Sequence, residues 1–324
     1  MKRWIAVLSL ALSSGALAQT PSAGSGQAFP SKPIKLVAPF APGGSLDLIA
    51  RGIAQKMSES TGQPVVVENR AGASGAIGSE AVAKSAPDGY TMLLGATTTH
   101  GINPALTPTL PYDPVRDFTP ISLVATIPHV IVAHPSLHVA SVTELVRLAR
   151  ARPGMAFGSA GNGSPHQLAI EMLKSMAGFE AVHVPYKGSG PALSDLVSGQ
   201  LQFMSVEWTI AEPYVKAGKL VALGVATAKR VPGIDLPTVI EQGYPGFEVT
   251  AWYAIFGPAG LPAPVLARLN GEIVKALQTA DLRERFAKLG VTPVGSTPEE
   301  LAAHVRAEIA RWTRVVKAAG IKAD

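Results

Sequence analysis

The chain has 324 residues, of which 47% are hydrophobic and 16% charged, and its formal net charge is +5. This length predicts about two domains, and the apolar content is sufficient for packed cores. The absence of cysteine excludes disulfides, thiolate metal sites, a cysteine nucleophile and a lipid-modified N-terminal cysteine. There is no basic stripe with interleaved aromatic residues, so we expect no nucleic-acid partner.

The N-terminus has the pattern of a secretory signal peptide. A basic start precedes an apolar run over 5–12, and residues 16–18 form a small-residue cleavage site. The run is too short to anchor the chain in a membrane. We expect cleavage after Ala18, which leaves 324 − 18 = 306 residues and lowers the net charge from +5 to +3. Removal of residues 1–18, followed by a flexible leader over 19–29, predicts a soluble periplasmic protein.

Apolar strand-like runs alternate with helical patterns in the first third of the chain. Leu46, Ile49, Ile53 and Met57 recur at helical spacing on one face. The order of strand, helix, strand, helix and strand predicts a parallel sheet with helices on both faces. The predicted strands are 34–38, 65–68 and 90–94, and the predicted helices are 46–60 and 77–85.

The alternation continues through the middle third, whereas the C-terminal third is helical. A helix is predicted over 265–279, and a capping box, Thr297-Pro298-Glu299-Glu300, opens a last helix that ends near residue 319. The other predicted extended segments are 121–127, 130–133, 155–158, 181–184, 201–206 and 220–225, and the other predicted helices are 142–151, 165–177 and 191–198.

Six clusters of small residues, most of them at strand-to-helix junctions, are the most informative feature. Small residues let a ligand approach the backbone, and helix N-termini present unpaired N–H groups with partial positive charge. Several such turns in one cleft would bind a small carboxylate with few charged side chains, which suits a receptor better than an enzyme. The clusters are PFAPGGS (39–45), NRAGASGAIGS (69–79), GATTTHG (95–101), GSAGNGSPH (158–166), PYKGSGPA (185–192) and FGPAGLP (256–262).

The GSAGNGSPH cluster gives the sharpest prediction. Ser164 is placed as a helix N-cap, with Gln167 at the third helical position of a capping box. In the functional hypothesis, backbone N–H groups and the hydroxyls of Ser159 and Ser164 hold a carboxylate, while Gly161 and Gly163 keep the loop thin. The alternative is an ordinary capped helix.

The PFAPGGS and Thr-rich clusters supply further candidates. Pro42 and Gly43 form a turn, and Ser45 is predicted to cap the next helix. Asp47 lies in the first turn, where it either complements the helix dipole or contacts the ligand. Thr97, Thr98 and Thr99 offer three hydroxyls to a ligand or are plain strand-end residues. His100 and His166 follow glycine-rich turns and either line the cleft or are structural.

Catalytic and metal patterns are not found. Neither G-x-G-x-x-G after a strand nor G-x-x-x-x-G-K-[ST] occurs. A nucleophile elbow is out of register at 72–76. His129, His134 and His138 are interrupted by prolines that break any helix able to align them, so we expect no metal site. No paired carboxylates suggest acid–base chemistry, and no cofactor or enzymatic activity is expected.

In their order and spacing, the motifs resemble the solute receptors of tripartite tricarboxylate transporters, the Bug-type receptors. The resemblance covers essentially the whole mature chain. It rests on VAPFAPGGSLDLIAR, VVVENRAGASGAIG, APDGYT, TTTHGINPAL, LPYDPVRDFTPIS, FGSAGNGSPHQLA, HVPYKGSGPAL, YVKAGKL, LPTVIEQGYPGFE and PAGLP…ARLN.

This resemblance implies a type II periplasmic-binding-protein fold with two α/β domains and a ligand cleft between them. We expect domain 1 to comprise 30–127 and 251–324, and domain 2 to comprise 128–250. In such receptors the loops matching PFAPGGS, the Thr-rich turn and GSAGNGS hold one carboxylate, often through bridging waters. The second domain, with the turn at Tyr186, Lys187 and Gly188, sets selectivity.

The region of 201–220 departs from the family pattern, which commonly carries an aspartate where this chain has Val206, Glu207 and Trp208. Lys187 either pairs with a distal carboxylate or is a solvated rim charge beside the Gly188 N–H. Glu207 either neutralises Lys187 or accepts a hydrogen bond from an amino-bearing ligand. Trp208 either stacks on an aromatic acid or fills the core.

The predicted function is that of a monomeric periplasmic receptor which closes over a small organic acid and delivers it to the membrane subunits of a transporter. Dicarboxylates, tricarboxylates, amino-dicarboxylates and aromatic acids all remain open as ligands. Two alternatives are a sensor that presents its ligand to a membrane signalling receptor and, more distantly, an exported hydrolase.

Overall fold

The computed structural model describes Met1 and residues 29–319. The predicted signal peptide (1–18) and residues 19–28 of the predicted leader lie outside the described residues. Phe29, the last leader residue, packs edge-on against Tyr90 with ring centroids 5.0 Å apart. It therefore belongs to the core rather than to a flexible leader, and the prediction is wrong for this residue.

Ten strands and ten α-helices occur in the described part of the chain. The strands are β1 (Ile34–Ala38), β2 (Val65–Asn69), β3 (Thr91–Ala96), β4 (Phe118–Ala133), β5 (Ala156–Ser159), β6 (Val182–Pro185), β7 (Phe203–Glu207), β8 (Val221–Val225), β9 (Thr250–Pro258) and β10 (Thr292–Pro293). The helices are α1 (Ser45–Thr61), α2 (Ala76–Ala83), α3 (Asn103–Leu106), α4 (Val142–Ala151), α5 (Pro165–Ala177), α6 (Ser189–Val197), α7 (Trp208–Lys216), α8 (Ala263–Gln278), α9 (Ala280–Lys288) and α10 (Pro298–Ala319).

The strand order is β2-β1-β3-β9-β4-β7-β5-β6, with β10 and β8 also paired to β4. Strand β1 pairs in parallel with β2 and β3, and β5 pairs in parallel with β6 and β7, as the alternation predicts. Strand β9 was not predicted, and it pairs antiparallel to both β3 and β4. The prediction of a parallel sheet is therefore correct at each end of the order and wrong at its centre.

Strand β4 is shared by the two ends of the sheet. The sequence predicts two extended segments here, but the strand continues through Pro128. Its first part, Phe118–Pro128, pairs with β9, and its second part, His129–Ala133, pairs with β7 and β8. Proline has no N–H to donate, so a strand tolerates it only where that hydrogen bond is not needed. Pro128 meets this condition because it lies where the partners of β4 change.

Separate hydrophobic clusters lie on either side of that change. Ile49, Ile53 and Ile273 belong to a cluster that α1 and α8 form against β1, β3 and β9. Phe157 and Phe203 belong to a second cluster beneath α4 and α5. Because the parallel strands of both halves end near one another, the turns that follow them can contribute to one site.

Helix N-termini are capped by side chains in several places. Ser141 accepts from the Glu144 N–H, and Ser164 caps α5 as predicted, with Ser164 Oγ 3.4 Å from the Gln167 N. The predicted cap by Ser45 is wrong, because Gly44 is the extended N-cap residue and Ser45 is already helical. The Asp47 carboxylate instead bonds the backbone at the start of this helix, where it accepts a hydrogen bond from the Gly43 N–H at 3.2 Å.

The last helix, α10, packs against β3 and β9 in a further apolar cluster that contains Leu301 and Val305. Its buried Glu308 accepts hydrogen bonds from the indole N–H groups of Trp252 (2.8 Å) and Trp312 (2.9 Å). The capping box is present as predicted, since Thr297 and Glu300 bond reciprocally at 2.9 and 3.2 Å. Among residues 29–319, no helix combines the length and hydropathy that a membrane span needs.

We expect Thr297→Ala to lower the free energy of unfolding by about 0.5–2 kcal/mol, because it leaves the first turn of α10 without its side-chain cap. Thr313→Ala is the matched control: its hydroxyl is exposed and bonds only the Ile309 carbonyl of the same helix. Urea denaturation measures both. An effect of Thr297→Ala no larger than that of the control would contradict the capping role.

Candidate ligand-binding site

A small chamber lies where four helices begin. Its volume is about 30 Å³. Helix α1 contributes Gly44 and Leu46, α5 contributes Pro165 and His166, α6 contributes Ser189, and α7 begins directly after Glu207. The remaining wall is formed by Phe40, Ala41, Thr97, Thr98, Ala160, Ala251, Trp252 and Tyr253.

Backbone dipoles contribute to the electrostatics of the chamber. Each helix N-terminus carries about half a positive elementary charge on unpaired N–H groups. No lysine or arginine belongs to the chamber wall among the described residues, and Glu207 and His166 are its ionisable groups apart from the Tyr253 phenol. The arrangement can hold an anion through N–H groups, which suits a carboxylate.

Glu207 is the centre of a buried hydrogen-bond network. Its two carboxylate oxygens accept from the Tyr253 hydroxyl at 2.7 Å and from His166 Nε2 at 3.0 Å. Burial acts to raise the pKa of Glu207, but the His166 charge and hydrogen bond, with help from His129 and Tyr253, outweigh burial and hold that pKa far below its usual value. Glu207 is therefore an ionised carboxylate inside the protein. Burial and the same carboxylate raise the pKa of Tyr253.

His129 lies behind this network. Its ring meets that of His166 edge-on, with centroids 4.9 Å apart, and its Nδ1 lies 3.0 Å from Ser205 Oγ. Burial, and secondarily the His166 charge, lower the pKa of His129 to about 3. His129, His166 and Glu207 bring possible metal-donor atoms within 4.8 Å of one another. Both Glu207 oxygens are already hydrogen-bonded, so the geometry is that of a polar network that a cation would have to open.

A wider groove continues outward from the chamber, and the two share Phe40, Ala41 and Ala160. Its volume is about 620 Å³, and residues 72–75, 161–162 and 185–187 line it. Hydrogen bonds between described residues cross it: the Ala41 N–H donates to the Lys187 carbonyl at 3.1 Å, and Ser74 Oγ donates to the Asn162 carbonyl at 2.6 Å. Ala73 and Ser74 adopt left-handed backbone with φ of 46° and 49°, a conformation that costs free energy in residues other than glycine.

The predicted site residues separate into those near the cavity and those that serve the framework. Thr97, Thr98, His166 and Glu207 line the chamber. Gly161, Tyr186 and Lys187 line the groove, as does the NRAGASG turn. Lys187 has no ion-pair partner in the described part of the chain, and Glu207 pairs with His166 rather than with Lys187.

Several predicted residues have local structural partners. Ser159 Oγ bonds His183 Nε2 at 2.6 Å and Gly161 N at 3.1 Å. Thr99 Oγ1 bonds the Ala96 backbone and His100 Nδ1. Burial acts to raise the pKa of Asp47, but its bonds to Arg51, Asn69 and the Gly43 N–H prevail and lower it.

The other predicted residues lie outside the chamber wall, either near the groove or in the core. Gly188 approaches Ala41 across the groove, and Gly163 lies against Leu106. Pro42 and Gly43 face a separate surface groove. Trp208 is buried in an apolar cluster and packs against Gly290. The FGPAGLP cluster is absent from the chamber wall, because Gly257 and Pro258 end β9 at its far end beside β4.

Sequence reasoning missed two polar residues of the chamber. Ser189 directly follows the predicted turn at Tyr186–Gly188. The strand-to-helix junction at this position is the sequence signal that could have identified it as a site residue. Tyr253 lies on β9, which was not predicted because TAWYAIFGP is buried on both faces and has no alternation of apolar and polar residues.

The fold is that of known periplasmic binding proteins. The periplasmic binding protein BugD is 35% identical with a TM-score of 0.87, over 91% of this chain and 99% of that one. The R. palustris protein Rpa4515, solved with adipate, is 39% identical with a TM-score of 0.88, over 91% and 99%. MatC from Rhodopseudomonas palustris, solved with malate, is 37% identical with a TM-score of 0.85, over 89% and 100%.

The sequence of residues 49–321 matches the family model described as tripartite tricarboxylate transporter family receptor. The chain belongs to this receptor family. The predicted resemblance and fold class are therefore confirmed.

We expect Tyr253→Phe to lower the free energy of unfolding by about 1–3 kcal/mol, because it removes one of two hydrogen bonds to a buried carboxylate. Tyr214→Phe is the matched control, since no hydrogen bond of the Tyr214 hydroxyl occurs among the described residues. Chemical denaturation at pH 7 compares the two. Equal free energies of unfolding for the two variants would show that the burial of the Glu207 carboxylate does not depend on the Tyr253 hydroxyl.

Stability should fall between pH 6 and pH 5. Burial lowers the pKa of His100 and of His129 to about 3 each, whereas an unfolded histidine titrates near 6.5. In this window the unfolded chain binds two protons that the folded chain does not, so the loss is roughly 2 kcal/mol per pH unit. His129→Gln should reduce this slope by about half. His134→Gln, at a half-buried histidine outside this network, is the control and should leave the slope unchanged. An undiminished slope in His129→Gln would exclude His129.

Proposed function

We propose that this protein is a periplasmic receptor that binds one small organic carboxylate at the chamber and presents it to the membrane subunits of a tripartite tricarboxylate transporter. The observation that carries the proposal is the meeting of four helix N-termini around a space with no lysine or arginine. Such N–H groups bind anions without a fixed cation. The family of the chain and the carboxylates named in two related structures support the same conclusion.

In this proposal, 30–127 with 251–324 is one domain and 128–250 is the other, and the hinge lies in β4 and at the entry to β9. The pairing supports this division, since the partners of β4 change between Pro128 and His129. A chamber of about 30 Å³ has room for only a few waters. An organic acid therefore enters only when the domains part, and they close over it.

The proposed ligand binds with one carboxylate at the helix N-termini and extends toward the groove. Dicarboxylates have direct support from the relatives with adipate and malate, whereas tricarboxylates, amino-dicarboxylates and aromatic acids follow from the sequence alone. The protein is proposed to be a receptor rather than an enzyme, because His166 Nε2 and the Tyr253 hydroxyl both bond the Glu207 carboxylate and so hold that buried group rather than activate a nucleophile. Export is proposed to occur through cleavage after Ala18.

A panel of organic acids tests the proposal by thermal shift, followed by calorimetry and small-angle scattering. A ligand stabilises the folded state by RT ln(1 + [L]/Kd), so an acid at about 100 times Kd adds about 2.7 kcal/mol. The same acid should make the protein more compact. Stabilisation by no acid in the panel, or an unchanged scattering profile at demonstrated saturation, would contradict binding or closure respectively.

We expect Ser74→Ala to weaken binding of the acid found in that panel by about 2- to 10-fold, because it removes a hydrogen bond across the groove that only the closed form makes. Alanine keeps the Cβ, so the left-handed backbone is equally strained. Ser85→Ala is the control, since its hydroxyl bonds Val82 within one side of the molecule. Equal affinity in the two variants would show that the Ser74 hydroxyl does not stabilise the closed form.

A further inference from the structure

Main-chain atoms join the turn after β1 to the turn after β6. The Ala41 N–H donates to the Lys187 carbonyl at 3.1 Å. An ideal Cβ built at Gly190 would lie 3.3 Å from both the Pro42 carbonyl oxygen and the Gly43 carbonyl carbon, which is closer than most real Cβ contacts. Glycine at this position therefore lets the two backbones approach one another. We call residues 41–44 and 187–190 together the clasp.

The strand order places the clasp far from the strands that both halves of the molecule share. In the order β2-β1-β3-β9-β4-β7-β5-β6, strands β9 and β4 are central, whereas β1 and β6 lie toward opposite ends. The proposed hinge lies in β4 and at the entry to β9. A rotation there separates the turns after β1 and β6 more than it separates the central strands. The contacts of the clasp therefore belong to the closed form and are lost when the halves part.

The clasp also forms part of the chamber wall. Gly44 and Ser189 line the chamber. Gly43 and Gly190, the neighbouring residues of the same two turns, line a separate surface groove of about 530 Å³. A molecule in the chamber is therefore separated from this groove by the clasp, and parting of the two turns opens a path between them.

The contacts at Gly190 do not involve the ligand. Gly190 meets backbone atoms of residues 42 and 43, and it is not part of the chamber wall in the described chain. A contact of this kind changes the equilibrium between the open and closed forms without changing what the closed form binds. The apparent dissociation constant then changes by the same factor for every ligand, because it is the intrinsic constant divided by the competent fraction.

We propose that the clasp is the gate of the chamber: its backbone contacts stabilise the closed form and determine how fast an acid enters and leaves. The inference rests on the proposed receptor function and adds the element that controls closure. Gly190 is a positioning residue in this device, since it acts on the approach of the two turns and not on the acid itself.

Gly190→Leu tests the gate, because it places a side chain where the backbone of residues 42 and 43 lies in the closed form. Gly271→Leu is the matched control: Gly271 is also helical, is exposed, and an added Cβ there meets no atom within 4 Å. Calorimetry and stopped-flow dissociation are measured with each acid that binds in the earlier panel.

Gly190→Leu should weaken every acid that binds by one common factor of about 10 or more, mainly through faster dissociation, and the ranking of the acids should not change. The control should bind as the parent does. Affinity equal to that of the control would overturn the gate. A loss that differs from acid to acid would also overturn it, since Gly190 would then act on the ligand.

A disulfide across the clasp gives a second arm that does not depend on the Gly190 variant. An ideal Cβ at Gly44 lies 2.9 Å from Ser189 Oγ, so the Cβ atoms of a Gly44→Cys and Ser189→Cys pair would be about 4 Å apart, within disulfide range. The φ of Gly44, −88°, is one that cysteine adopts without strain. The chain has no other cysteine, so the bond formed on oxidation is unambiguous.

The free double variant should form this disulfide, and acid bound before oxidation should then leave at least about 10-fold more slowly than from the same protein after reduction. Failure of the bond to form, or equal release from the oxidised and reduced protein, would overturn the gate.

Binding by no acid in the panel would contradict the proposed function, and the clasp would still be decided without a ligand. In that case small-angle scattering should show the oxidised pair to be more compact than Gly190→Leu. Identical profiles would overturn the clasp.

Discussion

The burial of one carboxylate constrains both halves of this molecule. Glu207 ends β7 and immediately precedes α7, and opposite it in the sheet is His129 of the shared strand β4. Its partners come from different places: Tyr253 lies on β9 and His166 on the first turn of α5. A buried ionised group without partners is strongly destabilising. The positions of β9, β4 and α5 are thus linked, because both carboxylate oxygens of Glu207 need hydrogen-bond donors.

The same constraint explains how the chamber can be polar without being basic. Lysine or arginine near Glu207 would form an ion pair and fill the space. Four helix N-termini instead supply N–H groups that are fixed by the backbone and need no side-chain ordering. Their partial charges lie at the wall and cost no side-chain entropy when a ligand binds. In the proposed receptor, the polar side chains of the wall, among them Thr97, Thr98, Ser189 and His166, are the groups left to distinguish ligands.

Sequence patterns predicted the parts of this structure that are specified locally. The turns after β1, β3, β5 and β6 were found because glycine and hydroxyl residues mark strand-to-helix junctions, and Thr297 and Ser164 because capping boxes have fixed spacing. Tyr253 was missed because an apolar strand buried on both faces has no periodic signal. The contact between His166 and Glu207 joins residues 41 positions apart, and no local pattern encodes it. The Ser45 cap was wrong by one residue because the extended N-cap residue is Gly44 and the helix already includes Ser45.

The closure proposed for this receptor is a balance between small terms. Hydrogen bonds from Ser74 and from the Ala41 N–H cross the groove, and each contributes about 0.5–1.5 kcal/mol. Against them stands the desolvation of the chamber wall. A ligand that gains a few kilocalories per mole from contacts with both sides would shift this balance toward the closed form.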